Sequence, residues 1–259
     1  MAPLAVHPWW PGKIADSGID FVFIDTEHAP VSRPDLSFMC KLYDSNGIVP
    51  IVRVPKPDHY EVSKVVDAGA VGVIAPYCET VEQVKELVSA IRFKPLKGKR
   101  LYKECLAGKK LEPKLKEELD RTNGHRIVVL NIESKAAIEN LDALLAVPGV
   151  DCTIIGPHDL SCNLGIPWQF DHPKFRAAVD TIFKKSKAAG IGCGIHHACL
   201  PGLERRDQGE AWLKSGCNFF VHGTDADLFK RTLKKEIGEF KHYVGDKRKG
   251  KGKGADVVV

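Results

Sequence analysis

Seven short apolar runs recur along this chain, and most end at once in a charged or polar side chain. Phe21-Val22-Phe23-Ile24 runs into Asp25-Thr26-Glu27-His28, Val49-Pro50-Ile51-Val52 into Arg53, and 127–132 into Glu133. The run 71–75 ends in Pro76, and Cys152-Thr153-Ile154-Ile155 ends in Gly156-Pro157-His158-Asp159. The run 191–195 ends in His196-His197, and 218–221 ends in His222-Gly223. Runs of this length read as strands buried on both faces, as parallel strands are. Between them, 82–91, 136–145 and 172–189 carry apolar residues at spacings of three and four, the pattern of helices with one buried face. Leu228, Leu233 and Ile237 mark a last helix. Gly18, Gly47, Gly69, Gly190 and Gly216 lie in the links from a helix to the next strand, where positive φ is common. Strand–helix alternation at this rhythm predicts right-handed parallel units. Seven or eight units predict an α/β fold, the (β/α)8 TIM barrel, with an open doubly wound sheet as the alternative.

In such a barrel the C-terminal strand ends carry the chemistry. Glu133 and Asp159 each close a strand, and two carboxylates at one rim can share a cation. Oxygen donors with no cysteine pair nearby point to a hard ion, Mg²⁺ or Mn²⁺; the alternative is a pair of solvated loop carboxylates. Positions left open on the ion suit a small α-keto acid. Gly156 permits close backbone approach, and backbone N–H groups at Gly156-Pro157-His158-Asp159 could hold a carboxylate. Arg53, with no carboxylate close in sequence, is placed to stabilise an oxyanion; a structural ion pair is its alternative role. His28 is the best general base, oriented by Asp25 or Asp67. His7, His59, His125, His172 and His242 read as surface or capping residues.

The length of 259 residues fits one barrel over 1–245, and 44% hydrophobic residues supply its core. The net charge of +5 is matched by five basic residues in 247–253, so the body is near neutral and is not a nucleic-acid surface. The tail 246–259 reads as a disordered basic extension, with RNA or acidic lipid contact as the alternative. Eight cysteines are spread without a C-x-x-C pair, which fits a reducing, cytoplasmic setting. No stretch is long enough to span a membrane.

Taken together, the stretches FVFIDTEHAP, PIVRVP, VVDAGAVGVIAP, NIES and AVPGVDCTIIGPHDLSCNLGIP followed by HP resemble the HpcH/HpaI aldolase family over roughly residues 9 to 235. That family consists of metal-dependent class II pyruvate aldolases built on a (β/α)8 barrel. The resemblance implies that Glu133 and Asp159 bind Mg²⁺ or Mn²⁺, with Co²⁺ a further candidate, and that Arg53 stabilises an enolate oxygen. It implies that His28 is the acid/base supported by Asp25 and Asp67, and that the backbone around Gly156, Pro157 and His158 holds a pyruvate carboxylate. Substrates would be a 2-oxo acid and an aldehyde, and the assembly a homo-oligomer, a hexamer built from dimers with the last helix on a neighbour.

Four departures stand out. Only 1–6 precede the first helix, so the first strand is short or missing, which exposes two sheet edges. Asn131 stands where the family has glutamine, 97–121 is charged and helical in pattern, and His196 occupies a pocket position that is often apolar. His196 is expected to line the substrate pocket, where it either favours a polar or acidic aldehyde end or is simply tolerated. Oxaloacetate decarboxylation through the same enolate is an alternative activity, and a barrel without activity that serves as a binding subunit is the alternative of another class.

Overall fold

The computed structural model describes residues 1–96, 110–197 and 206–246. All seven apolar runs are strands: β1 (Phe21–Asp25), β2 (Val49–Arg53), β3 (Gly72–Ala75), β4 (Ile127–Ile132), β5 (Cys152–Ile155), β6 (Gly192–His196) and β7 (Phe219–Val221). They form one sheet in chain order, each pair parallel. Helices α1 (Trp10–Ile14), α2 (Arg33–Ser45), α3 (His59–Ala68), α4 (Val81–Arg92) and α5 (Pro113–Asn123) precede β4. After it come α6 (Lys135–Glu139), α7 (Leu141–Leu145), α8 (Pro157–Asn163), α9 (Pro173–Ala188), α10 (Arg206–Ser215) and α11 (Asp225–Tyr243). The architecture is a nearly closed α/β barrel of the TIM type.

The seam between β7 and β1 is where the short first strand was expected, and Met1 and Ala2 fill it. Phe23 N–H donates to the Met1 carbonyl at 2.8 Å, and Ala2 N–H donates to the Gly223 carbonyl at 3.0 Å. Asp225 N–H donates to the Ala2 carbonyl at 3.1 Å. The Asp225 carboxylate, 4% exposed, accepts from the N–H groups of Leu4 and Ala5 at 2.8 and 2.9 Å. Two residues thus satisfy backbone groups on both edges that would otherwise invite foreign strands.

Side chains alternate between two cores. Val22, Ile24, Val52, Val73, Val128, Leu130 and Ile155 face the helices, where Val84, Leu87, Val88 and Ile91 of α4 are at most 1% exposed. Each such side chain stabilises by roughly 1.5–3 kcal/mol. Phe23, Ile51, Ile74, Val129, Ile154 and Val221 fill the barrel, with Phe21 stacked on Phe219 across the seam at 4.4 Å. Gly194 makes room for this stack, since a Cβ there would lie 2.1 Å from the Phe219 carbonyl.

Period two then fixes the rim. If Phe21 and Phe23 point inward, so does Asp25; Val49 and Ile51 put Arg53 inward, and Ile127 and Val129 put Asn131 inward. Gly194 does the same for His196.

Two helix expectations change. The stretch 136–145 is two short helices, because Asn140 leaves the helical basin (φ −89°, ψ 2°) and its amide donates to the Glu79 carbonyl at 2.9 Å. The stripe on α11 is not covered: Leu233 and Ile237 are each 46% exposed. Of 97–121, the part from Pro113 onward is helical as expected, and 97–109 lie outside the described residues, as do 247–259. His172 does cap a helix, its side chain accepting from Lys174 N–H at the start of α9. Among the described residues no helix is long and apolar enough to cross a membrane. Six described cysteines are free, five of them buried as small core residues.

Candidate active site

Asp25 and Arg53 are register partners on β1 and β2 and form a buried two-pronged pair. Arg53 Nε donates to Asp25 Oδ1 at 2.9 Å and Nη2 to Oδ2 at 2.6 Å. Burial pushes the Asp25 carboxyl up, but the Arg53 hydrogen bonds and charge outweigh it and hold Asp25 below the usual range. Arg53 is correspondingly raised: burial opposes its charge, and Asp25, Glu27 and Glu133 more than compensate. Asp25 also accepts from the N–H groups of Glu27 (2.9 Å) and His28 (3.4 Å), which fixes the turn after β1. Among the described residues no hydrogen bond uses Arg53 Nη1.

Glu27 is the residue that sequence reasoning left without a role. Its Oε2 lies 3.2 Å from Arg53 Nε and 3.8 Å from His28 Nε2. The same oxygen is buried without a hydrogen bond, because the Arg53 Nε proton is directed at Asp25. Burial raises the Glu27 carboxyl; Arg53 and His28 lower it, and Asp25 and Asp159 add to the rise. His28 is half exposed at the mouth of the site.

Glu133 is 1% exposed just past β4. It accepts from the Tyr77 N–H at 3.1 Å and from Asn131 Nδ2 at 2.7 Å. The next residue, Ser134, caps α6 by accepting from Ala137 N–H, which fixes how the chain leaves Glu133. Burial, then repulsion from Asp159, pushes the Glu133 carboxyl up to about 8, although Arg53 pulls the other way. Gly156 is required here by contact, since a Cβ would sit 2.3 Å from Glu133 Oε2. Asp159, on the first turn of α8, accepts from the Tyr77 hydroxyl at 3.2 Å.

His196 stacks on Phe23 at 4.9 Å and is 8% exposed. Burial, aided by the Arg53 charge, pushes its imidazole down to about 3, so it is neutral. It therefore offers polarity without charge. Pro157 is buried at the start of α8, and His158 turns its ring onto Trp168 at 4.3 Å, leaving only its backbone for the site.

Asp67 is a correction. It sits near the far end of α3, is 68% exposed at its side chain and pairs with Lys94. A helix that follows a barrel strand runs away from the catalytic rim, so within one chain Asp67 does not support His28.

These groups suit a divalent cation. Glu133, Asp159 and Glu27 repel one another with one guanidinium nearby, and Glu27 Oε2 and Asn131 Oδ1 are buried without a hydrogen bond. Among the described residues no group of three or more His, Cys, Asp or Glu side chains is arranged to hold a metal ion. Glu133 and Asp159 as the protein's two ligands would leave coordination positions to substrate and water.

The family described as HpcH/HpaI aldolase/citrate lyase matches residues 5–229. The chain belongs to that family. It is a carbon–carbon lyase of the metal-dependent class II aldolase type. The 2-keto-3-deoxy-L-rhamnonate aldolase of Klebsiella pneumoniae is 32% identical over 227 residues, 88% of this chain and 82% of that one. The crystal structure of the citrate synthase SbnG superposes with a TM-score of 0.78 at 29% identity, covering 95% of this chain and 93% of that one. An HpcH/HpaI aldolase from Desulfitobacterium hafniense gives 0.76 at 24% identity, covering 93% and 91%, a likeness of fold.

Proposed function

We propose that this protein cleaves a 4-hydroxy-2-oxo acid to pyruvate and an aldehyde, with Glu133 and Asp159 holding Mg²⁺ or Mn²⁺. The observation that carries the reading is the buried excess of carboxylate at one barrel rim, which lifts Glu133 to about 8 and calls for a cation. The similarity to an aldolase named for a 2-keto-3-deoxy acid supports the substrate class.

When bound, the cation supplies Lewis-acid polarisation of the keto oxygen and charge for the enolate. The side chains do the rest. Asp25 occupies Nε and Nη2 of Arg53, so the guanidinium is locked with Nη1 left for the developing oxyanion. His28, at the mouth beside Glu27, takes the 4-hydroxyl proton as the C3–C4 bond breaks. Backbone at Gly156 to Asp159 receives the pyruvate carboxylate. His196 and Asn131 border the pocket with neutral polar groups. Protonation at C3 completes pyruvate.

Self-association fits the same reading. On α11 the side chains of Phe229, Leu233, Ile237 and Phe240 are 59, 46, 46 and 62% exposed on one helical stripe. A second copy of the chain is the proposed cover.

The test is pyruvate release from a 4-hydroxy-2-oxo acid with Mn²⁺ and with chelator. Release only with metal, abolished by Glu133→Gln with Asp159→Asn, supports the reading. Full activity of the double variant in chelator refutes it.

A further inference from the structure

Among the described residues, Tyr77 hydrogen-bonds to both proposed metal carboxylates, and it does so with two different donors. Its backbone N–H donates to Glu133 Oε1 at 3.1 Å, and its hydroxyl donates to Asp159 Oδ1 at 3.2 Å. Glu133 and Asp159 follow neighbouring strands whose register ends at Ile132 and Ile155, so the sheet brings the two chain segments together but does not hold their side chains.

The backbone of Tyr77 has φ 47°. A non-glycine residue there is strained, and an aromatic one more so than asparagine or glycine. This φ sets the direction of the side chain relative to the N–H that donates to Glu133, so one residue carries both donors. Glycine would reach it without strain, yet would lack the hydroxyl. The side chain is 37% exposed, so burial of the ring does not explain its presence. Asn163 Nδ2 approaches the Tyr77 hydroxyl oxygen at 3.4 Å, which leaves the phenolic proton for Asp159. Asp159 is otherwise a carboxylate on a seven-residue helix at the rim, free to take several rotamers.

We infer that Tyr77 is a positioning residue that fixes the orientation of the Glu133 and Asp159 carboxylates before a cation arrives, its N–H holding one and its phenol the other. The inference rests on the reading that these two carboxylates bind the metal. A hydrogen bond to a ligating carboxylate fixes its orientation, and its loss typically costs about 10–100-fold in metal affinity. Because the phenol acts through Asp159 and not on substrate, its loss should fall on metal binding, while turnover at saturating metal changes little.

The test is Mn²⁺ titration followed by electron paramagnetic resonance on the wild-type chain, Tyr77→Phe and Tyr77→Gly, with melting in chelator and kcat at saturating Mn²⁺ alongside. Tyr77→Phe keeps the ring and backbone and removes only the donor; Tyr77→Gly also removes the strain. Expected are a dissociation constant about 10–100-fold higher in both variants, an unchanged melting temperature for Tyr77→Phe, and a raised Mn²⁺ activation constant with kcat retained. Mn²⁺ affinity equal to wild type in either folded variant overturns the inference. A wild-type chain that binds no Mn²⁺ overturns the metal reading beneath it.

Discussion

Glu133→Gln should flatten the pH dependence of stability of the metal-free protein, and the structure sets the size. The Glu133 carboxyl is raised from 4.5 to about 8 by burial and by Asp159. A carboxyl raised in the fold stabilises below its unfolded value of 4.5 and loses that contribution as pH rises through about 8. Between about pH 5 and pH 8 the unfolded chain gives up this proton while the fold retains it. At about 1.36 kcal/mol per unit this removes about 3 kcal/mol of stability. In Glu133→Gln the Tyr77 N–H keeps an amide oxygen as acceptor, and Asn131 can turn its unpartnered Oδ1 toward the new amide N–H. Urea unfolding in chelator at about pH 5 and pH 8 measures the difference. Wild type should lose about 3 kcal/mol more than the variant across this range, and Mn²⁺ at the upper pH should restore the wild type alone. Equal pH slopes for the two proteins would refute the placement of an unneutralised Glu133 beside Asp159.

Other consequences follow from the same geometry. Arg53→Lys cannot keep both hydrogen bonds to Asp25, and kcat should fall by roughly a hundredfold or more, as when an oxyanion donor is lost; unchanged kcat would make Arg53 structural. Gly156→Ala places a methyl on Glu133 Oε2 and should abolish Mn²⁺ binding in a folded protein, read by titration. His28→Ala should lower cleavage far more than Mn²⁺ affinity, because it touches Glu27 and not the metal pair; cleavage at the wild-type rate would assign the base elsewhere. Ile237→Glu on the exposed stripe of α11 should shift the sedimentation profile toward monomer, and a full-length chain that is only monomeric would contradict the stripe's proposed role.

The barrel was legible because its strands are continuous apolar runs with a polar terminus, and period two then carries Asp25, Arg53 and Asn131 to one rim without further information. Glu27 was passed over because a third charge within Asp25-Thr26-Glu27-His28 looks like a loop residue until Arg53 is seen 3.2 Å away. Tyr77 gave no signal, since its role depends on a positive φ that sequence does not display. Asp67 misled for a different reason: a motif match carries no direction, and α3 points it away from the rim of its own chain. The seam also escaped the pattern, because two residues are too few for a periodic strand, yet Met1 and Ala2 bond to both sides.

The central claim is that Glu133, Asp159 and Arg53 together stabilise a pyruvate enolate, and it can be measured without knowing the aldehyde. Exchange of pyruvate methyl protons with deuterated solvent, followed by proton nuclear magnetic resonance, reports that enolate directly. The account predicts exchange that requires Mg²⁺ or Mn²⁺, stops with chelator, and is lost in Glu133→Gln and strongly slowed in Arg53→Lys. Metal-independent exchange, or wild-type exchange in Glu133→Gln, would contradict it.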